Sequence, residues 1–502
     1  MQKNVVKTYI DKLQDLGILT DSHVPQDILN KQVDCLSYDT RSLFGNSIFI
    51  CKGKNFKDQY ARDAINNGAL LYISENKIDD LENYAIVSDI RKAIESLAFL
   101  HFDNAPSKLK LVGITGTKGK SSITYILQGI LNEYLAENRK PNCAIISSID
   151  TYDGVQKFES HLTTPDVIEL HQHFSNAVDS GITHLVMEVS SQALKYGRVA
   201  GVNFDVVCFT NFGKDHISEI EHPTVQDYYE SKLKIFDNAK FACINSDMDQ
   251  FQDVINYAKD KCEVITYGTN KTDNVYCSNI CSRGNYIDFH VKTDAFEKDM
   301  TLGMGGLFNV SNALAAIAIC NKLHIDEKYI LKGLENASVP GRMKIITSKD
   351  KNLIIYVDYA HNELSFNALF KSLKEEYPNS KMISIFGCPG GKAKDRREEL
   401  PQIASKYCDN IIVCEEDSGP EPFENIAKDI VDNISIKNYE VIEDREEALR
   451  HSIFDLKEGQ TVIAFTGKGE ETRLKRGDNY DPCESDLSLA LKYIEEYDNL
   501  GK

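Results

Sequence analysis

Gly113-Ile114-Thr115-Gly116-Thr117-Lys118-Gly119-Lys120-Ser121-Ser122 is the stretch from which the fold is read. Before it, Leu109 to Ile114 is a short apolar run suited to a buried strand, and after it Ile123, Ile126, Leu127, Ile130 and Leu131 recur at helical spacing. Strand, Gly-rich turn and helix N-terminus aim backbone N–H groups and the positive end of a helix dipole at one point, as a nucleotide polyphosphate requires. Lys120 adds a mobile cation for the β/γ oxygens and Ser121 a hydroxyl for Mg²⁺. The pattern Gly-x-x-x-x-Gly-Lys-Ser/Thr fails only at its first position, which is Ile114, with Gly113 one residue early. A tight turn that happens to hold a lysine is the plainer alternative, but the flanking strand and helix favour a phosphate-binding loop for ATP or GTP.

Composition narrows the classes. A chain of 502 residues exceeds one ordinary core and suggests three or so domains. Hydrophobic residues at 42% and charged residues at 26% fit a soluble globular protein. The net charge of −19 argues against a nucleic-acid or anionic-membrane binder. The 13 cysteines are scattered without zinc or redox spacing, which predicts reduced thiols in a cytoplasmic protein. No signal peptide is read at the N-terminus, and no run of about 18 apolar residues predicts a membrane span.

Outward from the loop, the chain divides into three α/β units. Residues 1–108 carry strands at Ser47–Cys51 and Ala69–Ile73, with a basic loop from Lys52 to Tyr60 between them. Residues 109–338 form the nucleotide unit, a doubly wound, mostly parallel sheet with further strands at Cys143–Ser147, His184–Val189 and Val206–Thr210. Residues 339–502 restart the pattern at Leu353–Val357, Met382–Phe386, Asn410–Val413 and Val462–Phe465. In such sheets ligands gather at the carboxyl ends of strands, so Glu188 and His216 are placed to meet whatever Lys120 holds, and a carboxylate with an imidazole suits Mg²⁺. Singly, either would be an ordinary surface or core residue; it is their joint placement after the loop that favours function.

These residues resemble the Mur ligases, and among them the members that add the third amino acid to the peptidoglycan precursor. The resemblance runs almost end to end. It rests on Thr115 to Ser121, Thr163-Thr164-Pro165, Met187 to Ser191, Thr210-Asn211 with Asp215-His216, and Tyr228 with Lys232 and Phe236. It continues through Phe308 to Ala313, Val339 to Met343, Val357 to His361 and Gly467-Lys468-Gly469.

The resemblance implies a UDP-sugar domain, an ATPase core and a Rossmann-like C-terminal domain, acting as a monomer. It implies ATP- and Mg²⁺-dependent activation of the D-glutamate side chain of UDP-N-acetylmuramoyl-L-alanyl-D-glutamate as an acyl phosphate, then attack by a free amino acid. It puts ATP on Thr115, Gly116, Thr117, Lys118, Gly119, Lys120, Ser121 and Ser122, with Asn309 and Asn312 at adenine, Arg342 at a phosphate, Asp358 at ribose and His361 nearby. Lys120, Glu188, His216 and Lys232 become catalytic. Ser121, Glu188, His216 and a carbamylated Lys232 become metal ligands. The UDP-linked substrate falls to Ser37, Thr163, Thr164, Ser190, Tyr196 and Arg198, and the amino acid to Arg397, Glu416, Asp417, Gly467 and Glu471.

Three positions depart from the common pattern: Lys118 where Asn is frequent, Gln192 where His is frequent, and Lys52 to Tyr60 without Asp-Gly-His. All three look like lysine-adding members. Where members using meso-diaminopimelate carry Asp-Asn-Pro-Arg, this chain has Glu416-Asp417-Ser418-Gly419, without the guanidinium that grips a second carboxylate. The acids Glu415, Glu416, Asp417, Glu470 and Glu471 suit the terminal ammonium of L-lysine, with Glu415 and Glu470 read as solvated loop residues. Meso-diaminopimelate or another diamino acid is the alternative. A folylpolyglutamate synthetase would lack the N-terminal unit and the Glu188-Val189-Ser190-Ser191 context. A non-catalytic nucleotide-binding subunit would have no need of Lys120, Glu188, His216 and Lys232 together.

Overall fold

The computed structural model describes residues 3–53, 56–213, 221–341, 343–454 and 459–500. Three sheets account for most of the strands, and each is a layered α/β arrangement.

The central sheet grows from the strand Lys110–Thr115, whose apolar residues are buried on both faces as a parallel strand under helices requires. Parallel neighbours flank it: His184–Glu188 and then Ala144–Ile146 on one side, Phe204–Phe209 and Ala239–Asn245 on the other. Register fixes the site, because Glu188 pairs with Ile114 and Phe209 with Thr115, so three strands end level with the phosphate loop. The sheet has eleven strands in all, since antiparallel hairpins extend both edges.

The N-terminal sheet has five strands and the C-terminal sheet six, each parallel apart from one antiparallel edge strand. The expected strands are all present to within a residue or two, and the fold is the expected mixed α/β class. Val167 and Ile168, on the central helix Val167–Asp179, pack into the N-terminal core. On the opposite side Leu364 abuts Gly213, and Leu307 N–H donates to Ser372 Oγ at 2.8 Å. The central unit is therefore in contact with both others.

The helix Lys120–Glu137 follows Gly119, whose left-handed φ of +85° turns the chain out of the loop. Its residues Ile123, Ile126, Leu127, Ile130 and Leu131 are completely buried. They face the helix Glu327–Glu335, where Gly333 lies so close that a Cβ there would stand 2.5 Å from Ile130 Cα. The neighbour is backbone, so no side chain can swing aside. Gly333→Ala gains about 1 kcal/mol of helix propensity but meets overpacking of about 1–3 kcal/mol or more. We expect a net fall in the urea midpoint; an unchanged or raised midpoint would contradict this packing.

Candidate active site

The phosphate loop is held by the end of the strand Phe204–Phe209. Asn211 accepts the Lys118 N–H at 2.8 Å through Oδ1 and the Thr117 N–H at 3.0 Å through its carbonyl, while Thr210 Oγ donates to Lys118 O at 2.6 Å. Gly116 has a φ of +141°, and a Cβ on it would stand 1.9 Å from Thr210 Oγ1, so only glycine fits this crossing. A buried hydroxyl, Thr115 Oγ1, is left without a hydrogen-bond partner among the described residues. The helix opening at Lys120 turns its first-turn N–H groups back toward the loop.

Two cations converge here. Lys120 Nζ donates to Gly116 O at 3.0 Å and Thr117 O at 3.2 Å, and Lys232 Nζ donates to the same Gly116 carbonyl at 2.8 Å. Lys232 is 1% exposed, on the last turn of the helix Val225–Leu233, with its ammonium 4.5 Å from the Tyr228 ring centre. Like charges brought onto one carbonyl repel by several kcal/mol at the effective dielectric of a partly buried site, roughly ε ≈ 20. The arrangement is suited to an anion, and no motif or spacing links these two lysines to a shared partner.

Oxygen donors line the other side of the loop. Glu188 Oε1 accepts from Ser148 N–H at 2.9 Å and Ser148 Oγ at 3.1 Å, and Ser148 Oγ lies 3.1 Å from Ser121 Oγ. Ser148 was not among the expected residues. It follows the strand Ala144–Ile146, and parallel pairing with His184–Glu188, not any motif, brings it beside Glu188. Oxygen ligands of this kind are what a hard divalent cation takes. Of the other expected metal and phosphate residues, His216 and Arg342 lie outside the described residues.

The residues expected on the nucleoside side fall into two groups. Asn312 Oδ1 stands against Gly119, and its amide donates to Asn309 Oδ1 at 2.8 Å, which joins both asparagines to the loop. Asp358 holds the start of the C-terminal unit: its carboxylate accepts from Met343 N–H at 2.9 Å and Ala360 N–H at 2.8 Å. His361 Nδ1 is 2.6 Å from Tyr359 O.

Around the expected UDP-substrate residues, Thr164 Oγ donates to Glu188 O at 2.9 Å and accepts from Ser190 N–H at 3.0 Å, and Ser190 caps the helix Ser191–Lys195. Arg198 donates to Thr164 O at 2.9 Å and pairs with Asp166, which Lys52 of the N-terminal unit also approaches at 3.4 Å. Thr163 is half-buried, and the half-buried Tyr196 ring lies under Lys195 and Arg91. Ser37 is apart from these, bonded to Ser42 and Asp39 in its own turn.

The C-terminal residues require two corrections. Arg397, expected at the amino acid's carboxylate, is 2% exposed, and its four terminal N–H groups go to Glu421 (2.7 Å twice), Asp429 (2.8 Å) and Pro389 O (3.2 Å). Holding a substrate would mean breaking that bidentate pair. Arg396 beside it is half-buried, and no described residue pairs with it. Glu415, read as solvated, is buried and held by Arg476 and Ser418.

Asp417 and Glu471 share Lys468 Nζ, the first at 3.0 Å. Glu416 is buried against Gly467, its carboxylate accepts no hydrogen bond from a described residue, and burial pushes that carboxyl up to about 7. Below these loops Arg445 pairs with Asp486 through two bonds and donates to Thr466 O and Glu415 O, bracing both strand ends. No spacing rule could have linked residues 41 apart.

Comparison with known proteins bears on this geometry. Residues 114–320 match the description "Mur ligase middle domain" and residues 341–469 "Mur ligase, glutamate ligase domain". A Streptococcus agalactiae protein named UDP-N-acetylmuramoyl-L-alanyl-D-glutamate–L-lysine ligase is 34% identical, covering 97% of this chain and 99% of that one. A solved UDP-N-acetylmuramoyl-L-alanyl-D-glutamate–2,6-diaminopimelate ligase superposes with a TM-score of 0.70 at 21% identity, over 100% of this chain and 99% of the other. MurF ligase from Thermotoga maritima, solved with ADP, gives 0.61 at 17% identity, over 94% and 99%. With a relative this similar over nearly the whole of both chains, and the phosphate loop intact, the protein belongs to the Mur ligase family of ATP-dependent amide ligases.

Proposed function

We propose that the chain joins L-lysine to the D-glutamate side-chain carboxylate of UDP-N-acetylmuramoyl-L-alanyl-D-glutamate, as a cytoplasmic monomer built from units 1–108, 109–338 and 339–502. The observation that carries the reaction type is the convergence of Lys120 and Lys232 on Gly116 O beside the Ser121–Ser148–Glu188 row. A carboxylate is a poor electrophile because its leaving group would be oxide. In this reading its oxygen attacks the γ-phosphorus of ATP and releases ADP. The lysine α-amine then attacks the acyl carbon, loses a proton and expels phosphate. Such a phosphoryl transfer depends on alignment and charge neutralisation more than on a covalent catalyst.

Lys120 and the first-turn N–H groups hold the phosphates. Ser121, Glu188, His216 and Lys232 would hold Mg²⁺, which when bound supplies positive charge to the transferring phosphoryl group. Carbamylation of Lys232 forms an N–C bond between its neutral amine and CO₂ and releases one proton. It removes one of the two crowded cations and adds an oxygen ligand. Asn309, Asn312, Asp358, Arg342 and His361 serve the nucleoside side, and Ser37, Thr163, Thr164, Ser190, Tyr196 and Arg198 the UDP-linked substrate.

For the amino acid, the name of the Streptococcus relative supports L-lysine, as does Gly419 at the place where a diaminopimelate ligase has its arginine. Glu416 is the carboxylate left to meet the terminal ammonium, beside Gly467, Asp417 and Glu471. The α-carboxylate then falls to Arg396, with Arg397 a brace.

Lys232→Ala is expected to lose nearly all turnover and to regain part of it with acetate or formate at high concentration. Full activity in the unsupplemented variant would sink the role.

Turnover with a panel of amino acids tests the substrate, L-lysine being expected and meso-diaminopimelate inactive. The reverse pattern would overturn the reading. Because Glu416 ionises only above about pH 7, KM for lysine should fall as pH rises through 7, and Glu416→Gln should lose that dependence; parallel profiles would remove Glu416 from the site.

A further inference from the structure

Behind the phosphate loop the chain holds a Ser–His–Asp constellation. Ser191 Oγ lies 2.9 Å from His222 Nε2, and His222 Nδ1 lies 2.6 Å from Asp227 Oδ2. The carboxylate acceptor fixes the proton on Nδ1, so Nε2 accepts from the serine hydroxyl. The spacing is that of a nucleophilic triad, but the chemistry is not. His222 is 0% exposed and Ser191 5%, so no substrate reaches the hydroxyl, and Asp227 is shared with Lys195 Nζ at 2.7 Å.

The same contacts join two functional segments. Ser191 and Lys195 are the first and last residues of the helix that Ser190 caps in the substrate segment, and Asp227 lies on the helix Val225–Leu233 that carries Lys232 in its last turn. One helix therefore grips the other at both ends. From the clamp the contacts continue to the phosphate loop: the His222 ring is 5.1 Å from that of Tyr228, edge to face, and Tyr228 O–H donates to Thr117 Oγ1 at 3.3 Å. Tyr228 is also the ring beneath the Lys232 ammonium.

We infer that His222 is a positioning residue for Lys232. Through Ser191 and Asp227 it locks the lysine helix to the substrate segment and sets the height of Lys232 over Gly116 O. The clamp thereby ties the geometry in which Lys232 is carbamylated to the segment that binds the UDP-linked substrate. The inference rests on Lys232 being the carbamate proposed above.

The test uses full-length protein in ¹³C-bicarbonate, with the carbamate carbon read by NMR alongside steady-state kinetics. Wild type should show a carbamate signal that Lys232→Ala abolishes. His222→Phe keeps a ring against Tyr228 but loses both hydrogen bonds. It should stay folded, lose carbamate signal and drop kcat by about tenfold or more, with KM for ATP and for the UDP-linked substrate within about threefold. Raised bicarbonate should restore part of kcat, and His222→Gln, which keeps an N–H donor and an acceptor, should lose less.

Unchanged carbamate and kcat in folded His222→Phe would overturn the inference, as would a loss of kcat with full carbamate. If that variant does not fold, Ser191→Ala decides by the same criteria. A wild type without carbamate would remove the reading of Lys232 itself, and this inference with it.

Discussion

Two ammonium groups on one backbone carbonyl set the terms for everything around them. Lys120 and Lys232 both reach Gly116 O, from opposite sequence neighbourhoods and with one of them fully buried. Such a pair is tolerable where charge of the other sign arrives, and the phosphate loop is built for that arrival. Thr210 and Asn211 stitch the loop to a neighbouring strand, the helix Lys120–Glu137 is anchored by buried isoleucines and leucines, and the clamp at His222 fixes the second lysine. Catalysis by electrostatic preorganisation asks for this kind of rigidity, because groups that must reorient during the reaction lose much of their advantage.

Parallel pairing supplies the rest. The strands ending at Thr115, Glu188 and Phe209 are in register, so phosphate loop, carboxylate and loop-holding asparagine emerge along one edge of the central sheet. The C-terminal sheet repeats the device, with Asp358 at the end of one strand and Glu416 and Gly467 just beyond the ends of two others. In the proposed reaction one unit serves phosphoryl transfer and the other the amine. The two units pack through Leu364 on Gly213 and through the Leu307 N–H on Ser372 Oγ.

What the sequence made legible was local. The loop, its strand and its helix are contiguous, and Glu188 could be placed because buried strands are apolar and their ends are not. The antiparallel hairpins at the sheet edges are not read from the sequence, since Val275–Arg283 and Tyr286–Thr293 mix polar and apolar residues. Ser148, the Arg445–Asp486 brace and the Glu421 grip on Arg397 were out of reach for a related reason: each pairs residues distant in sequence, and only the folded chain says which arginine is spent on structure. His222 and Asp227 are five residues apart, yet their meaning depends on Ser191, which the sheet brings to them.

In the proposed reaction the bound carboxylate is activated by phosphorylation at this loop. The direct measurement is the fate of oxygen in a substrate whose D-glutamate side-chain carboxylate carries ¹⁸O. An acyl phosphate transfers one labelled oxygen to inorganic phosphate for every amide formed, and that is the result expected. Amide formation with the displaced label released as water, and none in phosphate, would contradict it.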